Sequence, residues 1–288
     1  MKKWMLALLM IIFVIGAGAY LAWYDMQNEK ANFLLAYYVS QPILILILII
    51  FIWRSVILSR EKVSYSVSMR ANALVYLGMW LFPARLSELI KPFYFKKRSN
   101  LPQQQGWALV IKERVWDLFG FSCSCLIILA MMMEQFIHDN MVVSIILSCG
   151  ATIFLLIVFF MLPCLIEKIF FLKKFQDFAD ALRGGDTKEH IIQALTACIL
   201  WALSAILACV FYYASGLPTL PIVDVMSIFL VSSLGLFITI TPAGLGTYEA
   251  ALVAALAGYG IGVQDGIAFA LGFHYVGCCY LHSLAYGL

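Results

Sequence analysis

Residues 82 to 93 read FPARLSELIKPF, and residues 241 to 252 read TPAGLGTYEAAL. Both stretches place Pro-Ala-x-Leu in an apolar neighbourhood, and both carry a glutamate a few residues later. Proline fixes its own φ and disfavours helix in the residue before it, so each stretch predicts the end of one helix and the start of another. Glycine permits backbone conformations that other residues resist. The predicted elbow residues are Pro83, Pro242, Gly244 and Gly246.

The composition is that of an integral membrane protein. Hydrophobic residues make up 64% of the chain, charged residues 12%, and the mean hydropathy is +0.94. Soluble domains carry about twice this charged fraction. Several apolar runs approach the roughly 20 residues that a helix needs to cross a bilayer, and none shows the alternation of a membrane strand. We therefore predict an all-α polytopic helical bundle with no nucleic-acid partner.

Six full spans are predicted from the apolar runs, and the basic residues between them set their orientation. Lys2 and Lys3 place the N-terminus in the cytoplasm under the positive-inside rule. The first apolar run is too long for a signal peptide, so we expect a retained helix. The predicted spans lie at about 4–23, 32–53, 106–133, 141–165, 190–213 and 266–287.

Two further apolar regions are predicted to enter and leave the membrane on one side. Region 65–97 has basic residues at both flanks, so both flanks should be cytoplasmic. No Lys or Arg follows Lys188, so both flanks of region 224–261 should be external. Each region is therefore predicted to be a re-entrant hairpin, which needs surrounding protein or a wet cavity. Between the two lies a basic amphipathic insert at about 167–189, expected on the cytoplasmic surface.

The order of these elements predicts an inverted-topology repeat. Two spans, a hairpin from inside and a span are followed by two spans, a hairpin from outside and a span. We interpret residues 1–288 as a single transmembrane domain with inverted halves at about 1–135 and 139–288. Such repeats with broken helices are common in secondary transporters.

Charged residues cluster after the elbows. Helix N-termini carry unpaired amides and partial positive charge, so two of them meeting at depth would suit an anion. Glu113 and Asp117 are four residues apart on one helix, and Arg114 is three from Asp117. Arginine could hold a lipid phosphate by forked hydrogen bonds, while the carboxylates orient it or carry a proton. The predicted substrate-binding residues are Arg70, Arg85, Glu88, Arg114, Asp117 and Glu249, with Glu113 as a network residue.

A purely structural salt-bridge network is the alternative for Arg85, Glu88, Arg114 and Asp117. Glu249 has no basic residue near it in the sequence and none after it, which makes it the strongest single candidate. The five remaining basic residues near the first elbow are expected to be positive-inside anchors. They are Lys91, Lys96, Lys97, Arg98 and Lys112.

Cysteine and histidine give no sign of a metal or cofactor. The eight cysteines form no C-x-x-C pair, and the four histidines lack the spacing of metal ligands. We expect both residue types to pack rather than to bind, with no metal and no cofactor.

The motifs together resemble the lysylphosphatidylglycerol synthase transmembrane, or flippase-like, family over nearly the whole chain. They are R-x-x-E at 85–88, E-R-x-x-D at 113–117 and T-P-x-G-x-G-x-x-E at 241–249. The family includes the membrane half of the multiple peptide resistance factors and stand-alone bacterial and archaeal proteins linked to lipid or glycan export. The resemblance implies a multi-pass protein of the cytoplasmic membrane that moves a charged lipid between leaflets, with lipid- or glycan-synthesis enzymes as possible partners.

Three positions depart from the family pattern. Ser87 stands where glycine is common, Ala243 replaces a glycine, and Tyr248 stands where an arginine is common. The missing arginine would have been a basic partner for Glu249, so the substrate of the lysyl-lipid flippases is not carried over. The 288 residues contain no soluble aminoacyl-transfer domain, so we do not expect them to carry synthase activity.

The residues are compatible with three functions. The first is a flippase-like transporter for an anionic lipid head group, either a phospholipid or a polyprenyl-phosphate-linked sugar. The second is a membrane glycosyl or phosphoryl transferase on a lipid carrier, with Glu249 or Asp117 as base. The sequence places no histidine near these carboxylates and contains no acidic cluster of the kind that binds Mg²⁺. Both observations argue against the transferase, so we do not expect an enzyme. The third is a scaffold that positions a cytoplasmic lipid-modifying enzyme through the stretch 167–183.

Overall fold

The computed structural model describes residues 21, 23, 25, 32–82, 86–132, 150, 161, 176–185, 187–237, 241 and 244–286. Across this part of the chain the regular structure is helical and contains no strand, which agrees with the all-α prediction. The first helices are α1 (Phe33–Leu58), α2 (Tyr65–Leu81), a 3-10 helix (Leu86–Leu89), α3 (Ile90–Arg98) and α4 (Gln103–Met132). They are followed by α5 (Gln176–Arg183), α6 (Thr187–Ala214), α7 (Ile222–Phe237), α8 (Thr247–Ala257) and α9 (Val263–Tyr286).

Helices α1, α4 and α6 are long and apolar enough to cross a membrane, judged by length and composition. They correspond to the predicted spans 32–53, 106–133 and 190–213, and α9 coincides with the predicted span 266–287. Predicted spans 4–23 and 141–165 lie outside the described residues. The chain is thus a multi-pass helical membrane protein, and the full number of its spans stays a prediction.

The first predicted break lies between α2 and α3. Helix α2 ends at Leu81, and the chain resumes as the 3-10 helix before α3. Val67 and Ala71 in the first half of α2 share one hydrophobic cluster with Tyr94 and Phe95 of α3. The chain therefore returns after the break toward the start of α2, as a hairpin does. The elbow residue Pro83 lies outside the described residues.

The second predicted break lies between α7 and α8, which pack against each other. The Ser227 hydroxyl near the start of α7 lies 3.0 Å from the Tyr259 hydroxyl just past the end of α8. The two helices are therefore antiparallel arms of a hairpin. Gly244 and Gly246 between them have φ of 76° and 85°, which supports the argument that this elbow needs glycine. Pro242 lies outside the described residues.

The contacts divide the chain into two compact units. The first comprises Met1–Ile47, Ala73–Glu88 and Leu203–Leu288, and the second comprises Leu48–Asn72 and Leu89–Ala202. The core of the first is rich in aromatic rings, including Phe211, Tyr212 and Phe269. The core of the second includes Val63 and Phe95, neither of which is accessible to solvent. The predicted inverted halves, 1–135 and 139–288, stay a prediction.

Within the predicted insert at 167–189, helix α5 places its apolar residues against α4. Leu182 is buried with Ala108 of α4, and Phe178 packs against the same cluster. The apolar face that a helix on a membrane surface would turn to lipid is therefore covered, at least in part, by protein. Residues 167–175 of the insert lie outside the described residues.

Candidate functional site

Arg54 of α1 is the centre of a buried ionic network in the second unit. It is 1% exposed, although it lies in a helix that is otherwise almost entirely apolar. Its Nε donates to Gln193 Oε1 at 2.9 Å, and its Nη2 donates to the backbone oxygen of Glu113 at 2.7 Å. Its Nη1 forms a short ion pair with Asp117. One guanidinium therefore connects α1 to α4 and α6.

Asp117 joins two arginines and thereby extends the network. Its second carboxylate oxygen, Oδ2, lies 2.9 Å from Arg114 Nη1, one helical turn away on α4. The backbone oxygen of Asp117 accepts a hydrogen bond of 2.8 Å from Trp201 Nε1 on α6. The Arg114 side chain is 37% exposed, against 14% for Asp117. The network is thus buried at Arg54 and reachable from outside at Arg114.

Lys91 and Glu113 form a second buried pair in the same unit. Lys91 Nζ lies 2.7 Å from Glu113 Oε2, and the two side chains are 4% and 3% exposed. The Ser55 hydroxyl donates to Glu113 Oε1 at 2.7 Å and accepts from Lys91 Nζ at 3.2 Å. Because Ser55 follows Arg54 on α1, the two pairs form one network of basic and acidic groups.

The placement of Lys91 and Lys112 corrects a prediction. Both were expected to be positive-inside anchors, but each is 4% exposed and each contacts a carboxylate. Lys112 donates to the backbone oxygen of Gly184 and lies 3.5 Å from Glu189 Oε1. Burying a lysine ammonium costs desolvation free energy, which nearby carboxylates and carbonyl oxygens must offset. Lys91 and Lys112 both have such partners. Lys96, Lys97 and Arg98 are exposed at the end of α3, and their role as anchors stays a prediction.

Glu249 lies in the first turn of α8, in the first unit. Its Oε2 accepts the backbone N–H of Gly246 at 2.7 Å, which satisfies one of the free amides at the start of the helix. Its Oε1 lies 2.5 Å from Nδ1 of His274 on α9. The expectation that no histidine accompanies the carboxylates is therefore wrong. The pair can hold a proton on either the carboxylate or the imidazole.

The remaining predicted site residues are spread over the chain. Arg70 is exposed, and among the described residues it makes no hydrogen bond or ion pair. Glu88 is half-buried in the 3-10 helix after the first elbow. Arg85 lies outside the described residues. The structure thus brings Glu113, Arg114 and Asp117 together. Glu249 pairs instead with His274 in the first unit.

The sequence predictions missed four residues of the Arg54 network and of the Glu249–His274 pair. They are Arg54, Ser55, Gln193 and His274. Arg54 had a signal, because an arginine followed by further apolar residues inside a long apolar helix is costly unless it has a partner. Gln193 is 139 residues from Arg54, and His274 is 25 residues from Glu249, so no local pattern indicates these contacts.

The described part of the chain contains no group of three or more His, Cys, Asp or Glu side chains that could hold a metal ion. Four cysteines in the described part of the chain form no disulfide: Cys123, Cys125, Cys198 and Cys209.

A match to a protein-family model identifies the family of the chain. No curated protein and no solved structure matches the chain. The family model described as "Lysylphosphatidylglycerol synthase TM region" matches residues 4–284. The matched residues include the three motifs that carried the resemblance and both hairpins. They also include the network around Arg54 and the Glu249–His274 pair. The chain therefore belongs to the lysylphosphatidylglycerol synthase transmembrane-region family.

Proposed function

We propose that the protein is a flippase-like transporter that moves an anionic lipid between the leaflets of the cytoplasmic membrane. The head group, of a phospholipid or a polyprenyl-phosphate-linked sugar, crosses by way of polar residues near the helix breaks. The acyl or polyprenyl chain stays in the bilayer. Family membership supports a role in membrane lipid chemistry, and the transport step and its substrate are our proposal.

The observation that carries the proposal is the ionic network around Arg54. Ionisable groups inside membrane helices are costly and usually mark a path for a charged substrate or a proton. Here three basic and two acidic side chains lie close together, and Arg114 is the one exposed above a third of its surface. A guanidinium that is held by Asp117 and still reachable is suited to bind a phosphate by forked hydrogen bonds.

Glu249 and His274 supply the second part of the proposal. They lie where α8 starts after a break, so the partial positive charge of a helix N-terminus and a protonatable pair occupy the same place. Broken helices at substrate sites are the common build of secondary transporters. We propose that this pair exchanges a proton as the head group passes.

The test is leaflet exchange of labelled lipids in proteoliposomes. Probes are fluorescent phosphatidylglycerol, phosphatidylcholine and a polyprenyl-phosphate sugar. Arg114→Gln and Glu249→Gln remove one charge each with little change in size. Asp224→Asn is the matched control, because it removes one acidic charge from the same hairpin as Glu249, in the first turn of α7. We expect each of the first two variants to slow exchange about tenfold or more, equivalent to about 1.4 kcal/mol in the barrier.

The outcome separates the parts of the proposal. Protein-dependent exchange of one anionic lipid class, retained within about twofold in Asp224→Asn, supports transport and names the substrate class. Absence of exchange for every probe, with the protein folded by circular dichroism, contradicts the transport proposal. Exchange that is indifferent to both site variants contradicts the site.

A membrane transferase acting on a lipid carrier is the second candidate, because His274 beside Glu249 supplies the histidine that such chemistry commonly uses as a base. It predicts turnover of a lipid-carrier substrate by the purified protein, lost in His274→Gln. Turnover without leaflet exchange favours the transferase over the transporter.

A further inference from the structure

A polar cleft of about 770 Å³ opens in the second unit, and none of its lining residues belongs to the ionic network around Arg54. Its walls come from the end of α1 and the turn after it, the end of α3, the first turns of α4, and α5 with the turn that follows it. The volume lies within the range of small-molecule sites, about 300–1,000 Å³. The cleft is large enough for a head group with several polar atoms.

Four basic side chains and one acidic side chain line the cleft. They are Arg60, Lys62, Lys96, Lys112 and Asp180. Lys112 is offset by Glu189, and the Arg60 guanidinium lies 3.5 Å from the same carboxylate. Two cations therefore share one carboxylate. The lining carries a clear excess of positive charge.

Lys62 and Lys96 have neutral partners. Lys62 Nζ donates to Gln105 Oε1 at 3.0 Å, and Lys96 Nζ donates to Gln103 Oε1 at 3.1 Å. Within the described part of the chain neither lysine contacts a carboxylate. A glutamine oxygen orients an ammonium without cancelling its charge. The two lysines are thus held in place, with their charges available to a ligand.

The backbone around the cleft contributes partial positive charge from one helix start, and it also contains two residues in a rarely adopted conformation. Helix α4, thirty residues long, starts at Gln103, so its free first-turn amides lie at the cleft wall. Arg60 and Glu61 have φ of 52° and 60°, a conformation that non-glycine residues rarely adopt and that clusters at functional sites.

We propose that this cleft is a binding site for a phosphate-bearing anion, separate from the ionic network of the transport proposal. Lysine ammonium groups and helix N-terminal amides are the groups that proteins use for phosphate, and an arginine adds forked hydrogen bonds. The same chemistry serves a lipid head group reached from the bilayer or a soluble phosphate ester. The proposal stands whether or not the protein transports lipid.

The test measures binding to the purified full-length protein in a neutral maltoside detergent. Dihexanoyl-phosphatidylglycerol is the lipid probe, glycerol 3-phosphate is the soluble probe, and dihexanoyl-phosphatidylcholine is the zwitterionic control. The double variant Lys62→Gln/Lys96→Gln removes two cleft charges from exposed side chains. Lys97→Gln/Arg98→Gln removes two charges from exposed side chains beside Lys96 that do not line the cleft.

We expect anionic probes to bind more tightly than phosphatidylcholine. The cleft double variant should weaken this binding about tenfold or more, since a hydrogen bond to a charged group contributes at least that factor. The control double variant should change it about twofold or less. Equal binding of glycerol 3-phosphate and phosphatidylglycerol identifies a soluble phosphate ester, whereas binding of phosphatidylglycerol alone identifies a lipid head group.

Two results overturn the proposal. One is that neither anionic probe binds more tightly than phosphatidylcholine. The other is that the two double variants weaken binding equally, because the effect then reflects overall charge rather than the cleft. We expect both double variants to unfold at the wild-type temperature, because all four side chains are exposed, and a thermal unfolding measurement checks that they are folded.

Discussion

Lys91 and Glu113 depend on each other because both are almost completely buried. Removing one partner leaves an uncompensated charge, which costs about 3–5 kcal/mol, whereas removing both is often nearly neutral. We therefore expect Lys91→Met and Glu113→Gln each to lower the apparent unfolding midpoint in detergent strongly. The double variant should recover at least half of the loss. Midpoints that fall additively in the cycle would show that the two side chains act independently.

Arg54 is a residue at which lysine cannot replace arginine. The three nitrogens of its guanidinium each contact a different partner, Gln193, Asp117 and the backbone of Glu113. A lysine keeps the charge but offers a single nitrogen. We expect Arg54→Lys to destabilise the protein by about 3 kcal/mol, the lower bound for breaking a buried pair.

The measurement is the apparent midpoint of thermal unfolding, with Arg98→Lys as the control. Arg98 is exposed at the end of α3, so the same exchange should leave the midpoint unchanged there. Equal unfolding midpoints for Arg54→Lys and wild type would mean that the positive charge alone stabilises this part of the fold, and that the three separate contacts of the guanidinium do not.

At this scale the sequence predicted contacts within one helix and missed those between helices. The pairing of Arg114 with Asp117 follows from their spacing of three residues. Arg54 and Asp117 are 63 residues apart, and Lys91 and Glu113 are 22 apart, so their contacts depend on how the helices pack. Basic residues near the ends of predicted membrane segments were interpreted as anchors. Lys91 is instead buried against Glu113, and the anchor role of the exposed Lys96 stays a prediction.

At the scale of elements, Gly120 sets how closely α4 approaches α6. A Cβ at Gly120 would lie 2.7 Å from the backbone C and O of Ala197 and 2.9 Å from Cδ1 of Trp201. The two helices therefore touch through backbone at this point, and a methyl group has no room. We expect Gly120→Ala to destabilise the protein by about 1–3 kcal/mol, the usual cost of overpacking.

Gly266→Ala is the matched control for this prediction. Its Cβ would lie 3.5 Å from the Val253 side chain, an ordinary contact, and alanine gains the same helix propensity at both sites. The apparent unfolding midpoint should fall for Gly120→Ala and stay equal or rise for Gly266→Ala. A fall of the same size in both would remove the close approach as its cause.

The helix breaks were the elements that the sequence predicted best. Proline and glycine act locally, so their effect can be read without knowing the packing, and both predicted breaks separate two helices. The close approach at Gly120 carries no such signal, because an isolated glycine in an apolar run is common in membrane helices. The close approach can be recognised only from the packed structure, in which Ala197 of α6 lies opposite Gly120.

At the scale of the whole molecule, the positive-inside rule predicts which side of the membrane each hairpin faces. Ser64 and Lys97 flank the first hairpin, and Thr219 and Gln264 flank the second; all four are exposed. Because the basic residues cluster around the first hairpin and none follows Lys188, the first pair should be cytoplasmic and the second external. This arrangement is what an inverted repeat requires.

The measurement is labelling of single cysteines at these four positions, in a background without the eight native cysteines. A membrane-impermeant maleimide should label Thr219→Cys and Gln264→Cys in intact spheroplasts. It should label Ser64→Cys and Lys97→Cys only after permeabilisation. If the two positions that flank one hairpin fall on opposite sides, that segment crosses the membrane and the inverted repeat is wrong. If all four fall on one side, both hairpins enter the membrane from the same side, and the inverted repeat is wrong while the binding cleft keeps its own support.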